Sequence, residues 1–241
     1  MYGHNLCPFV ARARYALALK GIQFQECMVD LNNTAKWHND LNGGVIPVLE
    51  TPAGDLIIES SVIMAYAHES APQSGVTLIP SDPVAAAKMR VAMSKFDPTM
   101  SGLWGAYMTR FEDPTKFDGV KDSLAKWELL CTEAGGKFLF GTDEPTMLDL
   151  HAGAMMDRIF CQLTSDSEVR KDFVEAIQAR SNYPNFVAYI EKFRAHSLIA
   201  PYRFRRLAVD RHAVRAAGWE KGVKCAISLD SVDDEVFAAE P

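Results

Sequence analysis

The sequence predicts an α/β domain followed by an all-α domain. Three observations predict it. Short strand-like and helix-like stretches alternate up to about residue 72, and almost everything beyond reads helical. The texture changes in Ala71-Pro72-Gln73-Ser74-Gly75, and Pro80-Ser81-Asp82-Pro83 then opens a new helix, as Pro and Gly clusters mark turns or linkers. A chain of 241 residues suits one large domain or two modest ones, and the linker favours two, residues 1–78 and 79–241.

In the first part, Pro8 to Lys20 reads as a helix, with Pro at its first position and Gly21 just past its end. Cys27, Val29 and Leu31 alternate as in a half-buried strand. A helical or irregular segment follows. Val45 to Glu50 is the next strand, Thr51-Pro52-Ala53-Gly54-Asp55 a turn, and Leu56 to Glu59 the hairpin partner. Ser60 or Ser61 caps a helix through Glu69. The order leaves a strand missing at the front.

The second part reads as long helices. Val84 to Arg110 is one stretch, kinked or split at Pro98, and Gly119 to Ala134 is another. Thr146-Met147-Leu148-Asp149 places a cap and an acidic residue three positions on, a capping box with Asp in place of Glu. The following helix is mostly apolar and central to the core. Tyr183-Pro184-Asn185 opens a last helix through Phe193.

Composition narrows the function classes. With 48% hydrophobic and 23% charged residues the chain is ordinary globular protein, not a disordered, collagen-like or coiled-coil one. A net charge of −6 argues against a nucleic-acid binder. No run approaches the roughly 20 apolar residues of a membrane span, and Met1 to Cys7 has no secretory signal. The five cysteines are odd in number, with neither C-x-x-C nor zinc spacing, so no metal is expected and a reducing, cytoplasmic setting is.

Three markers carry chemistry. Cys7 sits at the N-cap of the first helix, where unpaired N–H groups and the helix dipole favour a thiolate with a lowered pKa; the bland alternative is a small packed residue. Position 10 is Val10, so no second cysteine stands ready to resolve a mixed disulfide. Pro47 suggests an edge position or a cis bond; in the cis case Ile46 offers its backbone N–H and C=O to an extended peptide. Glu59-Ser60, at a helix N-terminus, is a natural carboxylate site, though such caps are common. Together they describe a short peptide with a thiol at one end, a backbone-paired middle and a carboxylate held by Ser60.

Cys7-Pro8-Phe9, Gly44-Val45-Ile46-Pro47-Val48-Leu49, Glu59-Ser60 and Thr146-Met147-Leu148-Asp149 resemble the glutathione transferases, most closely the cysteine-type omega-like class. Leu78-Ile79-Pro80-Ser81-Asp82-Pro83 is similar to the family's interdomain linker. The resemblance implies a thioredoxin-like N-terminal domain and a helical C-terminal one. It implies glutathione as co-substrate, bound by Pro8, Phe9, Ile46, Pro47, Glu59 and Ser60, and a homodimer. It also implies thiol transfer or dehydroascorbate reduction, with Cys7 forming a mixed disulfide that a second glutathione resolves.

Two departures stand out. The lysine that omega-like relatives use on glutathione aligns with Thr34, two residues before Lys36. Only Met1, Tyr2 and Gly3 are available for the first strand, so that strand is expected to be truncated, in an incomplete sequence or a lineage with a relaxed catalytic half. A second-substrate pocket is expected from Trp104, Tyr107 and Met108, closed by Trp219, although their spacing equally suits core residues. Arg203, Arg205, Arg206, Arg211 and Arg215 form a basic cluster, either a solvated face or a partner-docking surface, ahead of an acidic tail. None of the histidines reads as a ligand or a base. The competing readings are a non-catalytic scaffold subunit with protein partners and a chloride-channel-like intracellular relative. Glu59-Ser60 counts against the latter.

Overall fold

A two-residue strand at the very start organises the N-terminal part. In the computed structural model, which describes residues 1–30, 33–108, 113–163 and 179–204, β1 (Tyr2–Gly3) lies inside a four-stranded sheet ordered β2-β1-β3-β4. It pairs in parallel with β2 (Cys27–Met28), through Tyr2↔Cys27 and Gly3↔Met28, and antiparallel with β3 (Val48–Glu50), through Tyr2↔Val48. β4 (Leu56–Ile58) closes the hairpin with β3. The short strand is satisfied on both sides: Met1 and Gly3 carbonyls accept the N–H groups of Cys27 and Val29 at 2.9 Å.

Gly3 is required where it stands. A Cβ there would lie 2.6 Å from Val10 Cγ1, so only glycine lets helix α1 (Pro8–Leu19) sit directly on β1. Val10, Ala13, Tyr15, Ala16 and Leu19 of α1 are wholly buried, packed against α3 (Ser60–Ser70) on one side and α7 (Met147–Leu163) on the other. α2 (Lys36–Asn42) fills the segment left open between β2 and β3.

The helical part follows. α4 (Pro83–Thr99) and α5 (Ser101–Met108) are the split expected at Pro98, which falls in the last turn of α4. α5 packs closely on α6 (Phe117–Glu133): a Cβ on Gly102 would meet the Gly119 carbonyl at 2.1 Å. α7 is the buried centre, and one half of the expected capping box forms, Asp149 Oδ2 accepting the Thr146 N–H at 2.8 Å, while the Thr146 hydroxyl donates to the same carboxylate oxygen. A short turn, α8 (Ala179–Asn182), precedes α9 (Pro184–Ala195). Glu128 of α6 caps α9, accepting the N–H groups of Asn185 and Phe186 at 3.0 and 2.8 Å.

Three local expectations are corrected. β2 is two residues long with Cys27 and Met28 both exposed, as the edge strand of the sheet. Pro47 precedes a strand in the interior of the sheet, so the edge alternative fails; the Ile46–Pro47 bond is cis. The N-cap of α3 is Glu59, not a serine, and makes no side-chain cap bond. Among the described residues no helix is long and apolar enough to cross a membrane.

Candidate active site

The sheet register brings the three chemical markers to one end. Tyr2 and Ile58 flank Val48 on either side, so the chain leaving β1 toward Cys7, the chain entering β3 through Ile46-Pro47, and the chain leaving β4 into Glu59-Ser60 converge there. Cys7 is the N-cap of α1 with extended backbone, half-buried, and its sulfur lies 4.0 Å from the Ile46 carbonyl oxygen. Pro8, Ile46, Pro47 and Ser60 are buried, while Phe9 and Glu59 are exposed. Glu59 has a φ of 68°, in the region a non-glycine residue rarely adopts, so the turn that delivers Ser60 to the start of α3 is strained.

Electrostatics correct the thiolate expectation. Burial pushes the Cys7 thiol above its ordinary value and outweighs the opposing pull of the Val10 and Phe9 N–H groups and of the Arg158 and Arg14 guanidinium groups. The helix N-terminus favours the anion, as the sequence suggested, but the loss of water costs more.

A residue the sequence did not single out holds this turn. Arg158 of α7 donates from Nε to the Leu6 carbonyl at 3.2 Å and from one terminal nitrogen to the Asn5 and Cys7 carbonyls at 3.2 and 2.9 Å. Its other terminal nitrogen reaches Ala154 O at 2.8 Å within its own helix. The ring of Phe204 lies 4.8 Å from the guanidinium carbon. Beside it, buried Asp157 accepts the Phe204 N–H at 2.6 Å and the Tyr15 hydroxyl at 3.3 Å, and pairs with Arg194. An Asp157-Arg158 pair in a mostly apolar helix was the available signal.

The N-terminal model of the glutathione S-transferase family matches residues 6–70. The chain is 27% identical to the omega-1 glutathione S-transferase of Mus musculus over 152 residues, 62% of each protein. It is 32% identical to the probable glutathione S-transferase BZ2 of Zea mays over 174 residues, which cover 64% of this chain and 71% of that one. The chain belongs to the glutathione transferase family. The fold agrees: the omega 1C transferase of Trametes versicolor superposes with a TM-score of 0.72 at 20% identity, over 90% of this chain and 95% of that one. The mammalian omega-1 relatives are matched over only 51–62% of their own length.

In this family member the mixed sheet with its helices is the thioredoxin-like half and α4 to α9 the helical half, a fold capable of cysteine thiol chemistry. Cys27 is also a free, exposed thiol, not a packed one, whereas Cys131 and Cys161 are buried. Lys36 pairs with Asp40 one turn on, and the Thr34 hydroxyl donates to Asn39 Oδ1 at 2.9 Å.

Of the second-pocket residues, Trp104 lines a cavity of about 310 Å³ with Phe9, Arg12, Phe96, Met100 and Met155. Tyr107 is 2% exposed and stacks behind Trp104 at 5.3 Å, a core position, and burial raises its hydroxyl to about 12. Met108 is the last residue of α5. Trp219, Cys225, the arginines from 205 onward and the acidic tail lie outside the described residues. Among the described residues no group of His, Cys, Asp and Glu side chains could hold a metal ion.

Proposed function

We propose that this transferase is a cytoplasmic, omega-like, glutathione-dependent thiol transferase with dehydroascorbate reductase-type activity, residues 1–78 binding glutathione and residues 79–241 supplying the second-substrate side. The single observation that carries the reading is the Cys7 sulfur 4.0 Å from the Ile46 carbonyl, at a helix N-terminus with Val10, not a resolving cysteine, three residues on. The Ile46 backbone pairs the cysteinyl residue of glutathione, and Glu59-Ser60 receives its γ-glutamyl carboxylate. Cys7 thiolate attacks the glutathionyl sulfur of a mixed disulfide, the S–S bond breaks, and the departing thiolate takes a proton. A second glutathione thiolate attacks the Cys7–glutathione disulfide, releasing oxidised glutathione and regenerating Cys7. Phe9 and Trp104 border the cavity offered to the other substrate.

The pairing of chains fits the same reading. A groove of about 580 Å³ between α3 and α4 is lined by Ile57, Val62, Tyr66 and Met93, with Glu69 and Arg90 beside them. A two-fold copy of this face sets the acid of one protomer against the base of its partner, as an isologous dimer needs.

The test is turnover of a glutathionylated peptide with glutathione, beside a Cys7→Ala variant. Turnover in the intact protein, lost in the variant, supports the reading; equal rates remove Cys7 as the nucleophile. The raised Cys7 thiol favours a second reading, a non-catalytic scaffold. Failure to bind immobilised glutathione, together with no turnover, selects it.

A further inference from the structure

The geometry points to Arg158 as the positioning residue of the Cys7 turn: its guanidinium fixes three successive carbonyls of that turn and supplies the positive charge against which the Cys7 thiolate forms. The inference rests on the transferase reading only for the choice of Cys7 as nucleophile.

Three successive carbonyls, Asn5, Leu6 and Cys7, converge on one side chain from a helix about 150 residues away in sequence. A planar fork with five N–H donors meets such a cluster, which a single ammonium group cannot. Orientation is enforced from the other face, where Phe204 stacks on the guanidinium; that ring is itself fixed by its N–H to Asp157 and by the Cys161 thiol on its carbonyl at 3.2 Å.

The charge is the second line of argument. Arg158 is 2% exposed, and among the described residues its hydrogen-bond acceptors are all neutral carbonyls. Among the described residues it has no carboxylate partner, since the adjacent Asp157 is committed to Arg194, Tyr15 and Phe204. A buried cation normally comes paired, because leaving water is costly. Here the positive charge is retained beside a half-buried thiol. Among the described residues, His4 within the turn, Arg14 on α1 and the Tyr107 hydroxyl on α5, which feels both Cys7 and Cys161, also face it. Arg14 is already neutralised by Glu26, at 2.5 and 2.6 Å, so among the described residues Arg158 is the cation whose field reaches Cys7 unopposed by its own partner.

The test is the pH profile of Cys7 alkylation by iodoacetamide, read by peptide mapping in the full chain, for wild type, Arg158→Met and Arg158→Lys. Exposed Cys27 is the internal control. Arg158→Met is expected to move the Cys7 midpoint up by about one pH unit, so that alkylation at pH 7.5 slows about tenfold, with Cys27 unmoved. Arg158→Lys keeps the charge and is expected to recover most of that shift. Where Arg158→Met does not fold, neutral Arg158→Gln, which still donates to two carbonyls, carries the same measurement. An unchanged Cys7 midpoint in the neutral variant overturns the inference, and so does an equal shift at Cys27, which marks general loosening. No glutathione is needed, so an inactive wild type with the expected profiles would sink the transferase reading and leave this one standing.

Discussion

The Cys7 sulfur and the Ile46 carbonyl oxygen lie 4.0 Å apart, so the thiol proton points at an acceptor that the thiolate would be repelled by. Burial holds the proton on, against the pull of the Val10 and Phe9 N–H groups and of the Arg158 and Arg14 guanidinium groups. The thiol value is raised in the folded chain, so reactivity grows with pH. The alkylation midpoint of wild-type Cys7 is expected above the ordinary value of about 8.5, with under about a tenth of the sulfur ionised at pH 7.5. A midpoint below 7 would show that the helix N-terminus and Arg158 outweigh burial.

Replacing Cys7 by Ser tests the nucleophile without opening a cavity. Turnover of a glutathionylated peptide should fall at least about 10³-fold, since a neutral hydroxyl cannot exchange with a disulfide. The melting temperature should stay within a few degrees, because Cys7 is only half-buried. Retained turnover would shift attention to exposed Cys27.

Asp149 is wholly buried and accepts four hydrogen bonds: from the N–H and hydroxyl of Thr146, the Leu139 N–H at 2.8 Å and the Tyr189 hydroxyl at 3.1 Å. Asp149→Ala orphans all four donors, at a cost of about 3 kcal/mol or more. That is a fall of roughly 6–12 °C in melting temperature for a chain of this size. Calorimetry reads it directly.

Cys131 and Cys161 are both pushed up to about 12, by burial first and by neighbouring acids second. Folded values above the unfolded ones mean that their stabilisation is intact below about pH 8.5 and is lost as pH rises toward 12. At pH 10 each thiol should destabilise the fold by about 2 kcal/mol relative to neutral pH. Denaturant titrations of Cys131→Ala and Cys161→Ala variants should show a shallower alkaline decline than wild type, though a lower starting stability.

Val62 is 51% exposed on the groove between α3 and α4. Val62→Glu is expected to convert a dimer into monomers in sedimentation velocity, with the circular dichroism unchanged. A wild-type monomer at micromolar concentration would remove the proposed pairing face.

Periodicity and punctuation carried most of the fold. The split at Pro98, the capping box at Thr146 and Asp149, and the helix opening at Pro184 were legible because each depends on neighbours within four residues. The lone β1 strand was harder: two residues carry no period, and their place depends on partners 25 and 46 positions away. Trp104 and Tyr107 shared one helical spacing, yet one borders a cavity and the other is core, a difference set by what packs opposite them.

The sequence by itself determined the two-part architecture, the cysteine at a helix N-terminus and the cluster of family-like motifs, since these are local features of chain chemistry. Tertiary structure decided how they work together. It turned the Pro47 ambiguity into an interior strand entry and brought Cys7, Ile46 and Ser60 to one end of the sheet. It also withdrew enough water from Cys7 to reverse the expected shift of its thiol, and it placed the Arg158 cation against that turn. Desolvation and long-range hydrogen bonding depend on what the fold packs together, and no window of neighbouring residues contains that information.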